Sequence, residues 1–171
     1  CLRAAPDYLE AELFKARLTS LVLITTGVGY YVGTRGNLDL AGWFHTLAGT
    51  GLLAAGAAAL NQWLERDYDA RMRRTQDRPL PAGLLRPESA LAIGVLCALA
   101  GLVYLTLAAG RATALLGAIT LLTYLFLYTP LKRRTTLCSI VGAVPPALPP
   151  ATGWVAAQNG LGAEPAILFA I

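Results

Sequence analysis

Charged side chains along the 171 residues fall in six short blocks, 1–17, 35–39, 65–88, Arg111, 132–134 and Glu164, with no charge between them. The charge-free stretches are 18–34, 40–64, 89–110, 112–131, 135–163 and 165–171, of 17, 25, 22, 20, 29 and 7 residues. A helix rising ~1.5 Å per residue needs ~20 apolar residues to cross ~30 Å of hydrocarbon, and ~17 still suffices. The pattern predicts an all-α fold: a polytopic transmembrane bundle with five complete spans and the start of a sixth. The first helix is expected to begin near Phe14, after an interfacial lead-in over 1–17. The chain opens at Cys1 and stops at Ile171 inside an apolar run. It is therefore expected to be the N-terminal part of a longer polytopic protein, with residues 1–171 in a single membrane domain. A secretory signal is not expected, since the first apolar run is one of several and no small-residue cleavage site follows it in a soluble context.

Composition narrows the classes. The chain is 56% apolar and 14% charged, where a soluble domain carries about 25% charged residues. A soluble protein of this size has too little interior for so much apolar side chain. Disorder is excluded on the same grounds, and three cysteines without a CxxC spacing exclude a disulfide scaffold. With the N-terminus placed in the cytoplasm, 12 of the 14 basic residues lie on the inner side and only Arg35 and Arg111 outside. That is a strong positive-inside signal. The net charge of +4 then reports topology and requires no nucleic-acid partner. The expected location is the inner (plasma) membrane, with the N-terminus and the 65–88 and 132–134 segments cytoplasmic.

Several local features refine this outline. Gly29 and Gly33 form a GxxxG spacing in the first span, and the second is rich in Gly and Ala. Small residues at such positions let backbones approach in lipid. Val144-Pro145-Pro146-Ala147-Leu148-Pro149-Pro150 puts four prolines in six positions of the fifth span. No straight helix is expected there, so the segment either breaks near Val144 or lines a cavity. Trp43 and Trp154 fall where interfacial aromatics are expected. His45 could ligate iron, but a lone histidine near an interface is more often structural. Cys97 and Cys138 lie in apolar segments and should behave as small hydrophobes.

The 65–88 connection is unlike the tight turns at 35–39 and 110–111. It holds 11 charges in 24 residues and is broken up by Pro79, Pro81 and Gly83. Asn61, Glu65 and Asp69 lead into it at i, i+4 and i+8. At ~100° per residue they stand at roughly 0°, 40° and 80°, on one helical face, with Tyr68 and Met72 near the stripe and Asp67 about 160° from Glu65. Two carboxylates and an amide make a hard oxygen-donor set suited to Mg²⁺, which takes few carboxylates plus waters and substrate phosphates. Arg66, Arg71, Arg73, Arg74 and Arg78 follow at once, and guanidinium groups grip phosphates bidentately. The combination suggests a metal-bound diphosphate carried on a lipid tail. The competing reading is a solvated helix end whose charges pair with each other. Against it, Asn61 and Glu65 stand at or inside the apolar boundary, where polar groups are costly.

The run from Asn61 to Arg78, N-x-x-x-E-x-x-Y-D-x-x-M-x-R-T-x-x-R, resembles the first aspartate-rich motif of the UbiA-type intramembrane prenyltransferases. Extended through Arg-Pro-Leu-Pro, it is most similar to the heme O synthases (protoheme IX farnesyltransferases). Tyr128-Thr-Pro-Leu-Lys132-Arg133-Arg134-Thr135 and Gly142-Ala-Val-Pro-Pro are similar to that family too, and Lys15-x-Arg17-x-Thr19 more loosely. One departure is visible: Glu65 stands where many relatives carry Asp, and both ligate Mg²⁺.

The resemblance implies nine helices around a cavity open to lipid, with a second acidic motif beyond the present residues. It implies farnesyl transfer from farnesyl diphosphate to heme B, giving heme O. Asn61, Glu65 and Asp69 would be catalytic and hold Mg²⁺. Arg66, Arg74, Arg78, Lys132 and Arg133 would take the diphosphate. Heme A synthase or terminal oxidase assembly proteins are the protein partners it suggests, beside the lipid bilayer. Prenylation of an aromatic quinone precursor or a chlorin shares the same chemistry and stays open. A transporter is a further alternative, disfavoured because the carboxylates crowd one interface instead of the middle of the membrane.

Overall fold

A computed structural model describes residues 5–73, 75–76, 80–83, 85–132, 138–160 and 164–170; side chains are described from Leu18 onward and, after Lys132, from Gly142 onward. The described residues are helices and turns: α1 Ala5–Gly33, α2 Leu40–Asp69, α3 Pro87–Ala108, α4 Arg111–Leu131, α5 Cys138–Gln158 and α6 Glu164–Ala170. Each of these helices is thus built around one charge-free stretch of the sequence. Among the described residues, α2, α3 and α4 are long and apolar enough to cross a membrane, and Leu18–Gly33 is a shorter apolar length within α1. The helical lead-in corrects one expectation: α1 is already helical at Ala5, well before Phe14.

The helix ends follow from local chemistry. Asp39 caps α2 by accepting the Ala41 and Gly42 amides at 3.0 and 3.1 Å, which satisfies two of the four free N–H groups at a helix start. Pro87 opens α3, where a missing N–H costs nothing. Gly110 turns between α3 and α4 with φ of +91°, a value side chains rarely adopt.

Small residues make the contacts between helices. α2 and α3 run antiparallel: a Cβ on Gly56 would lie 2.6 Å from the Ala98 nitrogen, and one on Gly101 would lie 2.7 Å from the Leu53 nitrogen. α1 and α5 run in the same direction and meet even more closely. A Cβ on Gly29 would lie 2.0 Å from the Pro150 carbonyl oxygen, and one on Gly153 would lie 2.0 Å from that of Thr26. The GxxxG pair of α1 is therefore a backbone-to-backbone seam. Large apolar side chains such as Ile24, Leu96, Leu107 and Phe126 point outward, as lipid contact requires. The small buried core gathers around Leu53, Ala98 and Leu105.

Two further expectations are corrected. α5 runs unbroken through Pro145, Pro146, Pro149 and Pro150. The proline ring fixes φ near a helical value, so what each proline costs is an N–H donor. Neighbouring protein makes that loss tolerable: α5 packs against α1 and α4, and Pro149 is buried. Trp154 is buried against protein instead of facing outward as an interfacial aromatic would, with its backbone against Gly33. Trp43 does donate its indole N–H, to the Gly27 carbonyl at 3.1 Å.

Candidate active site

The inner end of α2 carries Asn61, Glu65 and Asp69, exposed by only 7%, 7% and 5%. Three polar residues four apart are buried as one strip, which is the helical period acting on a covered face. Asp67 is turned out, its side chain 76% exposed. Tyr68 and Met72, placed near the stripe by the same arithmetic, are about half exposed. Tyr68 falls just past the edge of the covered strip, and Met72 lies beyond the helix end at Asp69.

Helix α4 supplies the partners. Between Thr123 and Tyr128 it widens into a π-helical turn, a feature found mostly as single turns and often at functional sites. The turn delivers Thr129 and Lys132 to α2. The Thr129 hydroxyl lies 2.9 Å from Asn61 Oδ1 and Asn61 Nδ2 lies 2.9 Å from Glu65 Oε2. Lys132 Nζ lies 2.5 Å from Glu65 Oε1. A carboxylate can only accept, so the Asn61 amide must turn its NH₂ to Glu65 and its oxygen to Thr129. The Lys132 ammonium also stands 5.5 Å from the centre of the Tyr128 ring, which stacks on Tyr124 at 5.9 Å. Gly142 of α5 makes room for that ring: a Cβ there would lie 2.8 Å from Tyr128 Cε2.

Beyond α2 the chain is folded back against the helix end. The Thr75 hydroxyl donates to the Asp69 carbonyl at 2.9 Å, and Thr75 and Leu80 are both buried. This ties Thr75 to the end of the acidic strip.

The diphosphate candidates are placed unequally. Lys132 is at the strip. Arg66 leans away from it, with its guanidinium 5.1 Å from the centre of the Trp63 ring and Nε 3.5 Å from Asp67. Arg71 and Arg73 are exposed. Arg74, Arg78 and Arg133 lie outside the described residues. His45 hydrogen-bonds Tyr104 at 2.7 Å and, at ~1.5 Å per residue, sits about 24 Å along α2 from Asn61, far from this chemistry. Thr129, Thr75 and Tyr124 are additions that sequence reasoning missed. Thr129 was within reach, since it lies inside the Tyr128-to-Lys132 run.

The donor set can be tested against Mg²⁺. Among the described residues no three His, Cys, Asp or Glu side chains converge. Glu65 and Asp69 are buried oxygen donors on one face, and Glu65 already neutralises a cation, the Lys132 ammonium. Both fit a hard divalent ion. Asn61 would have to withdraw its oxygen from Thr129 to ligate.

A profile of the UbiA prenyltransferase family matches residues 22–171. A protoheme IX farnesyltransferase of Solibacter usitatus (strain Ellin6076) is 49% identical, over 96% of this chain and 59% of its own length. One from Anaeromyxobacter sp. (strain Fw109-5) is 45% identical, over 99% of this chain and 58% of its own. The chain thus spans somewhat more than half the length of these curated relatives. A solved structure, the apo form of a UbiA homolog from Aeropyrum pernix K1, superposes with a TM-score of 0.74 at 23% identity, covering 89% of this chain and 55% of that one. At that identity the likeness is one of fold, a membrane-embedded helical bundle. The spans, the lipid-facing exterior and the family match together make this a multi-pass membrane protein, and the chain belongs to the UbiA prenyltransferase family.

Proposed function

We propose that the full-length protein transfers a farnesyl group from farnesyl diphosphate to heme B, giving heme O. The observation that carries the reading is the buried acidic strip of α2 facing Lys132 inside the bundle, in a chain about half identical to a protoheme IX farnesyltransferase. A solvated helix end would expose those carboxylates and leave their pairing to the surface.

In this reading Glu65 and Asp69 hold Mg²⁺, with Asn61 beside them, and further carboxylates come from the second acidic motif that the resemblance implies. When bound, Mg²⁺ supplies charge stabilisation for the departing diphosphate oxygens. Lys132 moves from Glu65 to the diphosphate, joined by the arginines of the connection after α2. Preorganised positive charge at a leaving group is usually the largest catalytic contribution. The allylic C1–O bond breaks with its electron pair leaving on the diphosphate. A heme vinyl group attacks C1 through its π electrons. Water adds to the resulting cation and loses a proton, completing a hydroxyethylfarnesyl group. The protein lies in the inner membrane, with the N-terminus and the 65–88 and 132–134 segments cytoplasmic, which the basic-residue distribution supports.

The test measures heme O formed from heme B and farnesyl diphosphate in membranes supplied with Mg²⁺. Asp69→Asn and Glu65→Gln should each lose at least about a hundredfold, corresponding to about 2.7 kcal/mol or more of transition-state stabilisation. Asp67→Asn should keep most activity, because its side chain is turned out. Equal losses at all three positions would mean a diffuse charge cluster. Prenylation of a quinone precursor or a chlorin, with no heme O, would transfer the site to that acceptor.

A further inference from the structure

Thr129 is buried where α4 leaves its π-helical turn, and it has no charge and no role in the chemistry above. Its hydroxyl has one proton and two acceptors in reach, Asn61 Oδ1 and the Tyr124 carbonyl, both at 2.9 Å. The Tyr124 carbonyl already receives the Thr129 backbone N–H. Asn61 Oδ1 is buried among helices, and a buried acceptor left without a donor is costly. The proton therefore belongs to Asn61. That bond fixes which way the carboxamide faces, so its NH₂ meets Glu65 Oε2 and Glu65 Oε1 is left towards Lys132. The bonds form a directed relay from α4 to α2 and back to α4.

We propose that Thr129 is a positioning residue which, through Asn61, holds Glu65 in the orientation that receives the divalent cation. The proposal rests on the metal-assisted reading above. It assigns Asn61 the work of aligning Glu65, with its own oxygen committed to Thr129. Groups that orient a metal ligand in this way typically account for ten- to hundredfold in metal affinity or activity.

The experiment titrates Mn²⁺ alone into the purified full-length protein without substrates and follows bound metal by electron paramagnetic resonance. Thr129→Val keeps the size and β-branching of the side chain and deletes the hydroxyl. It should weaken Mn²⁺ binding about tenfold, whereas Thr129→Ser should bind as wild type. In an Asn61→Ala background, Thr129→Val should weaken binding no further, because the relay is already cut. If Thr129→Val fails to accumulate, Thr129→Cys, a similar-sized but weak donor, takes its place in the same cycle. Wild-type affinity in Thr129→Val overturns the proposal. So does an equal loss in the Asn61→Ala background, failure of serine to restore binding, or no Mn²⁺ binding by the wild type. Mn²⁺ binding with the expected cycle but no heme O formation would sink the heme reading and leave the relay standing. Heme O formation with an unchanged Thr129→Val titration would do the reverse.

Discussion

Removing the Lys132 charge should destabilise the fold more than removing its partner. The Glu65 side chain is 9% exposed, whereas that of Lys132 is 31% exposed. Breaking a buried pair by deleting one member costs about 3–5 kcal/mol, because the remaining charge loses its closest compensation. Water at the lysine end lowers this, so Lys132→Met is expected to cost about 2–3 kcal/mol. Glu65→Gln leaves an ammonium that can turn to solvent, and should cost about 1 kcal/mol, comparable to one hydrogen bond. The double variant Glu65→Gln/Lys132→Met removes both members of the pair and should fall near the milder single variant. That gives a coupling of about 2 kcal/mol, within the range for residues in contact. Thermal unfolding of the purified full-length protein in detergent, followed by circular dichroism at one scan rate, measures it. At ~2–4 °C per kcal/mol, Lys132→Met should lower the midpoint by roughly 5–10 °C and the double variant by much less. Additive losses, or no loss in Lys132→Met, would show that the ion pair does not operate in the folded protein.

Gly29→Ala and Gly153→Ala should each reduce thermal stability strongly, since the new methyl group would meet a backbone carbonyl at 2.0 Å. Gly51→Ala, whose nearest new neighbour is a Leu23 methyl at 3.7 Å, should be neutral or slightly stabilising in the same unfolding assay. In a background with the native cysteines replaced, Ala70→Cys should react with a membrane-impermeant maleimide only from the cytoplasmic side, and Asn37→Cys only from the other. The opposite pattern would invert the topology.

The helices were readable because lipid leaves little freedom: charge has to stay at the ends, so its blocks mark where each helix stops. The acidic strip was readable for a related reason, as Asn61, Glu65 and Asp69 repeat every four residues across a boundary where polarity is expensive. The proline helix was misread because proline's cost depends on its surroundings. Pro150 lies beside α1, and nothing local in 144–150 announces Gly29 as the partner. Lys132 could be named from its charge, but its pairing with Glu65 could not. That pairing depends on the π-helical turn at 123–128, which the run Thr-Tyr-Leu-Phe-Leu-Tyr does not reveal through a 3.6-residue period.

The same turn makes α4 sensitive to winding in a way its composition does not suggest. An α-helix advances ~100° per residue, and a π-helical turn is in effect one residue too many for the α-helical winding. Were the turn to close into regular winding with all its residues kept, the helix would keep its apolar surface. It would also swing everything downstream by roughly a quarter turn. Thr129 would then leave Asn61, and Lys132 would leave Glu65. Side chains along this stretch can be exchanged for others of like size, but the winding between Arg111 and Lys132 acts as a phase setting for the inner end of the bundle.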